Sequence, residues 1–144
     1  MALSADTPRA YRDTPGPEAA LPVQASSTIY AGSACSIDSG GEVGPLSASD
    51  AAFAGFARKF ADNSSGSAGD INCVVYTEGL IELTITGLDD NNDLNDLVYA
   101  SDDGSFQLNP TGGVAIGRVF QIVSLSANKA VVLFKSAVHE HAND

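Results

Sequence analysis

Between residues 69 and 87, GDINCVVYTEGLIELTITG, apolar and polar positions fall into two strand patterns. Ile81, Leu83 and Ile85 alternate with Glu82, Thr84 and Thr86, the period of two of a strand with one buried and one wet face. Residues 71–77 are largely apolar on both faces and rich in β-formers, which suits an interior strand with a neighbour on either side. Glu78 and Gly79 separate the two runs, so the pattern predicts a central hairpin with Ile81, Leu83 and Ile85 facing the core.

Further strands are predicted on both sides of this stretch. Residues 28–30 and 33–37 lead into the turn Asp38-Ser39-Gly40-Gly41 and then into residues 42–46, a second hairpin whose glycines accept positive φ. Ser47, Ala48, Ser49 and Asp50 can cap a short helical turn. In AAFAGFARKF, Phe53, Phe56 and Phe60 stand three and four apart, a helical spacing; strands on either side favour a strand at 53–57 interrupted by Gly55. Residues 62–67 read as a polar loop. Asp103-Gly104, between residues 97–100 and 106–108, is a hairpin signal. Residues 115–123 and 130–134 supply two closing strands.

Residues 1–27 lack any apolar period and carry Pro8, Pro15, Pro17 and Pro22, so they read as an extended arm that builds no core of its own. The domains expected are therefore an arm at 1–27, a β-domain at 28–135 and a polar tail at 136–144. The fold class is all-β: a compact β-barrel or β-sandwich of short antiparallel strands with an extended N-terminal arm. Ordering the arm requires something to lie on, and its candidate partner-binding residues are Pro8, Arg9, Tyr11, Arg12, Pro15, Pro17, Leu21 and Pro22.

Composition narrows the function. The 144 residues are one domain's worth, with 14 glycines and no tryptophan, a balance that favours short strands and tight turns. A formal charge of −11 disfavours wrapping nucleic acid, which needs clustered cations. No run reaches the roughly 18 apolar residues of a membrane helix, and the polar N-terminus has no signal-peptide core, so a soluble protein is expected, with no membrane partner. Cys35 and Cys73 lack metal or redox spacing and read as small buried side chains, with a disulfide between them left open.

The motifs with chemical potential each lack a required part. Residues 89–103 hold six aspartates, and Asp89, Asn91 and Asp93 match the first places of a calcium loop. Leu94 and Ala100 then stand where the turn glycine and the bidentate glutamate belong, so a solvated loop is expected. Gly112 and Gly117 have phosphate-loop spacing, but Arg118 and Val119 replace the Lys and the Ser or Thr. His139 and His141 form an HxH pair without the HExxH spacing or a third ligand nearby. No nucleophile elbow or acid–base pair is found, so no enzyme, metal or cofactor is expected.

The order of TIYAGSACSID, GEVGPL, FAGFA with ADNSSGSAGD, VVYTEGLIELTITG, LVYASDDGSFQL, AIGRVFQIVS and AVVLF resembles the small capsid cement, or head decoration, proteins of tailed bacteriophages. The likeness spans about residues 28–135. It implies a β-domain on the outer surface of the virion that braces the shell. The implied partners are the major capsid protein and neighbouring decoration subunits in a homotrimer. No catalytic residues carry over, and the arm and the HEHAND tail lie outside the match. The alternative, a carbohydrate-binding or adhesive β-module on a virion or cell surface, would be expected to show more aromatics for stacking on sugar than four tyrosines and no tryptophan.

Overall fold

A computed structural model describes residues 2–12, 16–50 and 52–137. The chain is all-β. Five strands form an open sheet in the order Glu18–Pro22 (β1), Asn72–Tyr76 (β7), Phe53–Ala57 (β5), Ala34–Ile37 (β3) and Val43–Pro45 (β4). Five more close a barrel in the order Ser105–Gln107 (β10), Glu78–Thr86 (β8), Lys129–Lys135 (β12), Val114–Ser124 (β11) and Leu97–Asp102 (β9). Ser27–Ile29 (β2) and Ala61–Asn63 (β6) make a two-stranded ribbon. The strand pairings are antiparallel apart from β8 with β10, which run parallel.

The predicted hairpins at β3/β4 and β9/β10 form, the two closing strands β11 and β12 pair with each other, and Ile81, Leu83 and Ile85 are buried in the barrel. The central hairpin does not. β7 pairs with β1 and β5 in the sheet, whereas β8 pairs with β10 and β12 in the barrel. The chain crosses from one layer to the other at Thr77. Its amide donates to the Pro17 carbonyl at 2.8 Å, and its carbonyl accepts from the Ser136 amide at 2.7 Å. Both runs are strands as expected, but each finds its neighbours far away in sequence, a corner of the kind by which strands switch sheets.

β5 shows why the FAGFA stretch reads ambiguously. Opposite Cys35 and Ser36 of β3 stand Gly55 and Phe53, so Ala54 is an extra residue in the ladder. That insertion lets Phe53 and Phe56, three apart, share one face of a strand. Gly55 has φ +142°, and a Cβ there would lie 2.2 Å from the Tyr76 carbonyl oxygen, so only glycine fits. All five residues of β5 are buried, since the strand separates two cores. Phe53 and Phe56 join the barrel core, where Phe56 meets Phe134 edge-on at 4.9 Å. Ala54 and Ala57 face a second core of small residues with Val23, Ile29, Cys35, Val43 and Cys73. Phe60, the third member of the spacing, is exposed.

Two smaller expectations are also revised. The segment after Pro45 makes a turn and no helix, with Asp50 accepting from the Ser47 amide at 2.8 Å and the Ser36 hydroxyl at 2.7 Å. Within 62–67, Asn63 is a buried member of β6. Its amide nitrogen donates to the carbonyls of Gln24 at 2.9 Å and Ser67 at 3.0 Å, tying the ribbon to the sheet.

Candidate functional site

The N-terminal segment lies along its own domain. The Thr7 amide donates to the Ala31 carbonyl at 2.7 Å, the Glu82 amide to the Ala10 carbonyl at 2.9 Å, and the Arg12 amide to the Leu80 carbonyl at 3.0 Å. Tyr11 forms an antiparallel bridge with Ile81. β10 pairs with β8 only at Ile85 and Thr86, and residues 10–12 satisfy backbone groups on the first half of β8. The strap also needs room at Gly32, whose φ is +89° and where a Cβ would sit 1.7 Å from the Thr7 carbonyl oxygen.

Two side chains anchor the strap. Tyr11 packs on the barrel core, edge-on to Tyr76 at 4.8 Å and tilted to Phe134 at 6.4 Å; burial pushes its phenol well above the usual range. Arg9 places its guanidinium 5.5 Å from the Phe106 ring centroid and donates from Nε to the Gly32 carbonyl at 2.9 Å. Its Nη2 is buried without a hydrogen-bond partner among the described residues, and burial lowers the pKa of the group while Tyr11 and Asp103 oppose that shift. Pro8, Arg9 and Tyr11 line a cavity of about 250 Å³ shared with Ala31, Gly32, Ala57, Arg58 and Tyr76.

The other candidate arm residues also meet their own chain. Arg12 bridges Glu82 at 3.1 Å, and the Pro17 carbonyl accepts from Thr77. Leu21 and Pro22 belong to β1, opposite Cys73 and Asn72. Pro15 lies outside the described residues, as do His139 and His141. The boundary at residue 27 therefore does not mark a break in structure, because β1 is the edge strand of the sheet and Val23 is fully buried. A partner that used these residues would have to displace the contacts they make here.

Three of the six aspartates of 89–103 do two different jobs. Asp90 and Asp93 cap a one-turn 3-10 helix, Asn91–Asp93, with Asp93 Oδ2 accepting from the amides of Asp89 and Asp90 at 2.9 and 3.1 Å. Asp103, expected to be solvated, is buried. It accepts from the Leu3 amide at 2.9 Å and the Ser33 hydroxyl at 3.1 Å, joining strap, sheet and barrel. Cys35 and Cys73 are free and buried, and burial raises both thiol pKa values, that of Cys73 to about 11.

A surface that strand patterning alone does not reveal lies on the outside of the barrel. Of seven large apolar side chains exposed among the described residues, Leu97, Phe120, Val123, Leu125 and Leu133 belong to β9 and the β11–β12 hairpin. Leu97, Arg118, Leu133 and Leu80 form one cross-strand row over β9, β11, β12 and β8. An open groove of about 520 Å³ runs beside them, lined also by Ala115, Glu78 and Lys135. The ladder between β11 and β12 slips twice, after Val119 and after Ile122, and the inserted residues are Phe120 and Val123. Bulges re-aim side chains in this way. Both inserted residues are exposed, Phe120 by 55%.

No family model matches the chain, and no curated protein and no solved structure matches it either.

Proposed function

We propose that this chain is a structural protein that decorates the outside of a tailed-phage head, binding the major capsid protein in many copies and bracing the shell. The observation that carries this reading is the outward apolar face of the barrel, where Leu97, Phe120, Val123 and Leu133 are exposed on adjacent strands. A grouped set of exposed apolar side chains marks a place for another macromolecule, whereas single ones need no explanation. The stretches that resemble cement proteins support the same reading, since GEVGPL spans β4, FAGFA is β5, and AIGRVFQIVS with AVVLF builds the hairpin that carries the face. On this reading the protein acts by binding, and it needs no reacting group.

The test is to mix purified protein with undecorated heads and measure occupancy and resistance to heat. Intact protein is expected to bind and protect, and Leu133→Asp and Phe120→Asp to bind poorly while melting like the parent. Failure of the intact protein to bind heads would overturn the reading.

A further inference from the structure

Beside the N-terminal strap lies a cationic hollow in an acidic chain. It is the cavity of about 250 Å³ where the strap meets the turn before β3 and the ends of β5 and β7. Arg9, Arg58, Tyr11 and Tyr76 line it, and no carboxylate does. The chain has only seven Lys and Arg against eighteen acids, so two guanidiniums in one small cavity stand out against its net charge of −11. Pro8 and Arg58, both exposed, bring the lining to the surface.

Arg9 is short of acceptors. Its Nε donates to the Gly32 carbonyl at 2.9 Å and is the one nitrogen of the guanidinium with a hydrogen-bond partner among the described residues; Nη2 is buried without one. A buried charged donor that lacks an acceptor is costly, and burial accordingly lowers the pKa of the group. The carboxylates that touch neighbouring groups are turned elsewhere. Asp103, whose charge acts on Arg9, accepts from the Leu3 amide on Oδ1 and from the Ser33 hydroxyl on Oδ2. Asp6 accepts from the Ala31 amide at 2.9 Å. Arg58 Nη1 reaches Glu18 only at 3.4 Å, a loose pair of exposed side chains that engages one donor of a five-donor fork.

We infer that this cavity binds a phosphate-type oxyanion, held between Arg9 of the strap and Arg58 at the end of β5. Planar guanidinium forks match the oxygens of phosphate, and a dianion balances both charges where a single carboxylate would balance one. The volume is below the roughly 300–1,000 Å³ of sites for drug-sized ligands, which suits a small anion. Because Arg9 belongs to the strap and Arg58 to the sheet, the bound anion also ties residues 2–12 to the domain. The site lies apart from the outer face of the barrel and does not rest on the decoration reading.

Titration of the purified full chain with inorganic phosphate at constant ionic strength, followed by calorimetry and by melting temperature, tests it. Expected is one saturable site per chain filling below about 10 mM, with a melting temperature that rises with occupancy. Arg58→Gln alters an exposed side chain, 43% accessible, and should weaken binding about tenfold or more while melting like the parent when phosphate is absent. Arg9→Gln should weaken it as much; if that chain unfolds because Arg9 also packs over Phe106, Arg58→Gln decides the matter. Lys59→Gln, at an exposed cation outside the cavity, should bind like the parent. Absence of saturable binding, or an Arg58→Gln chain that binds like the parent, overturns the inference. Acetate that binds as tightly as phosphate overturns the assignment to a phosphate-type ligand.

Discussion

Residues 2–12 and the β11–β12 hairpin use their side chains in opposite ways. The N-terminal segment, proline-bearing and without apolar period, tucks Tyr11 against the barrel core and holds Arg9 over Phe106. The hairpin is one of the more apolar stretches of the chain, yet it turns Phe120, Val123 and Leu133 outward. Burial follows the surface available to a side chain more than the hydropathy around it. The strap finds backbone groups of β8 that β10 leaves uncovered, and its ordering cost is offset by two anchored side chains. The hairpin carries two bulges, and the inserted Phe120 and Val123 face solvent.

Truncating a residue inside the barrel sets the scale against which both regions are measured. Leu83→Ala is expected to destabilise by about 2–5 kcal/mol, the range for a buried leucine. Denaturant unfolding reads this directly, and a loss below about 0.5 kcal/mol, typical of exposed sites, would place Leu83 on the surface. Tyr11→Ala comes next, at about 2–3 kcal/mol, below the range for a fully buried aromatic because the ring is only half-buried. A parent-like stability for Tyr11→Ala would mean that the strap is dispensable in the isolated domain and free to serve a partner. If the strap contributes as expected, removing residues 1–24 also removes β1 and Val23, so a loss of head binding after that deletion would report unfolding as much as a missing contact.

How legible this was depends on the range of the interactions involved. The alternation of Ile81, Leu83 and Ile85 is a local property of one strand, and both the strand and its inward face can be read from it. Turn residues identify the hairpins at 38–41 and 103–104 for the same reason. The supposed hairpin at Glu78 and Gly79 is different, because a chain that switches layers and a chain that turns back need the same break between two apolar runs. The bulges at Ala54, Phe120 and Val123 depend on partner strands from elsewhere in the chain, and a period of two gives no sign of them. Of the candidate site, the arm residues were identifiable as a group, but not the surface they would meet.

The thiols offer a probe of the second core that leaves both contrasting regions untouched. Burial raises the Cys73 pKa from 9.0 to about 11 and that of Cys35 well above its ordinary value. In the unfolded chain the thiols lose their protons first, so between about pH 9 and pH 11 the folded state binds more protons and stability falls as pH rises. Below pH 9 this contribution is constant. Unfolding midpoints measured from pH 8 to pH 11 should decline less in Cys73→Ala than in the parent, and equal declines would mean that the thiol titrates as it does in water.

The smallest expected effect on stability is at Phe120, and it is the one that most sharpens the contrast with Tyr11. Both are aromatic residues set against strands of the same barrel, but Tyr11 packs on the core while Phe120 is an inserted residue that the β11–β12 ladder leaves unpaired and 55% exposed. Phe120→Ser removes little buried area, so the unfolding free energy should stay within about 0.5 kcal/mol of the parent, as at ordinary surface positions. The same substitution removes a large apolar contact from the outer face and should weaken head binding. A stability loss of about 2 kcal/mol, the size of a core truncation, would show that the ring is packed against the domain, and the hairpin would then belong with the strap as a device for closing the barrel. Parent-like stability with parent-like head binding would instead leave the bulges as surface irregularities and remove Phe120 from the binding face.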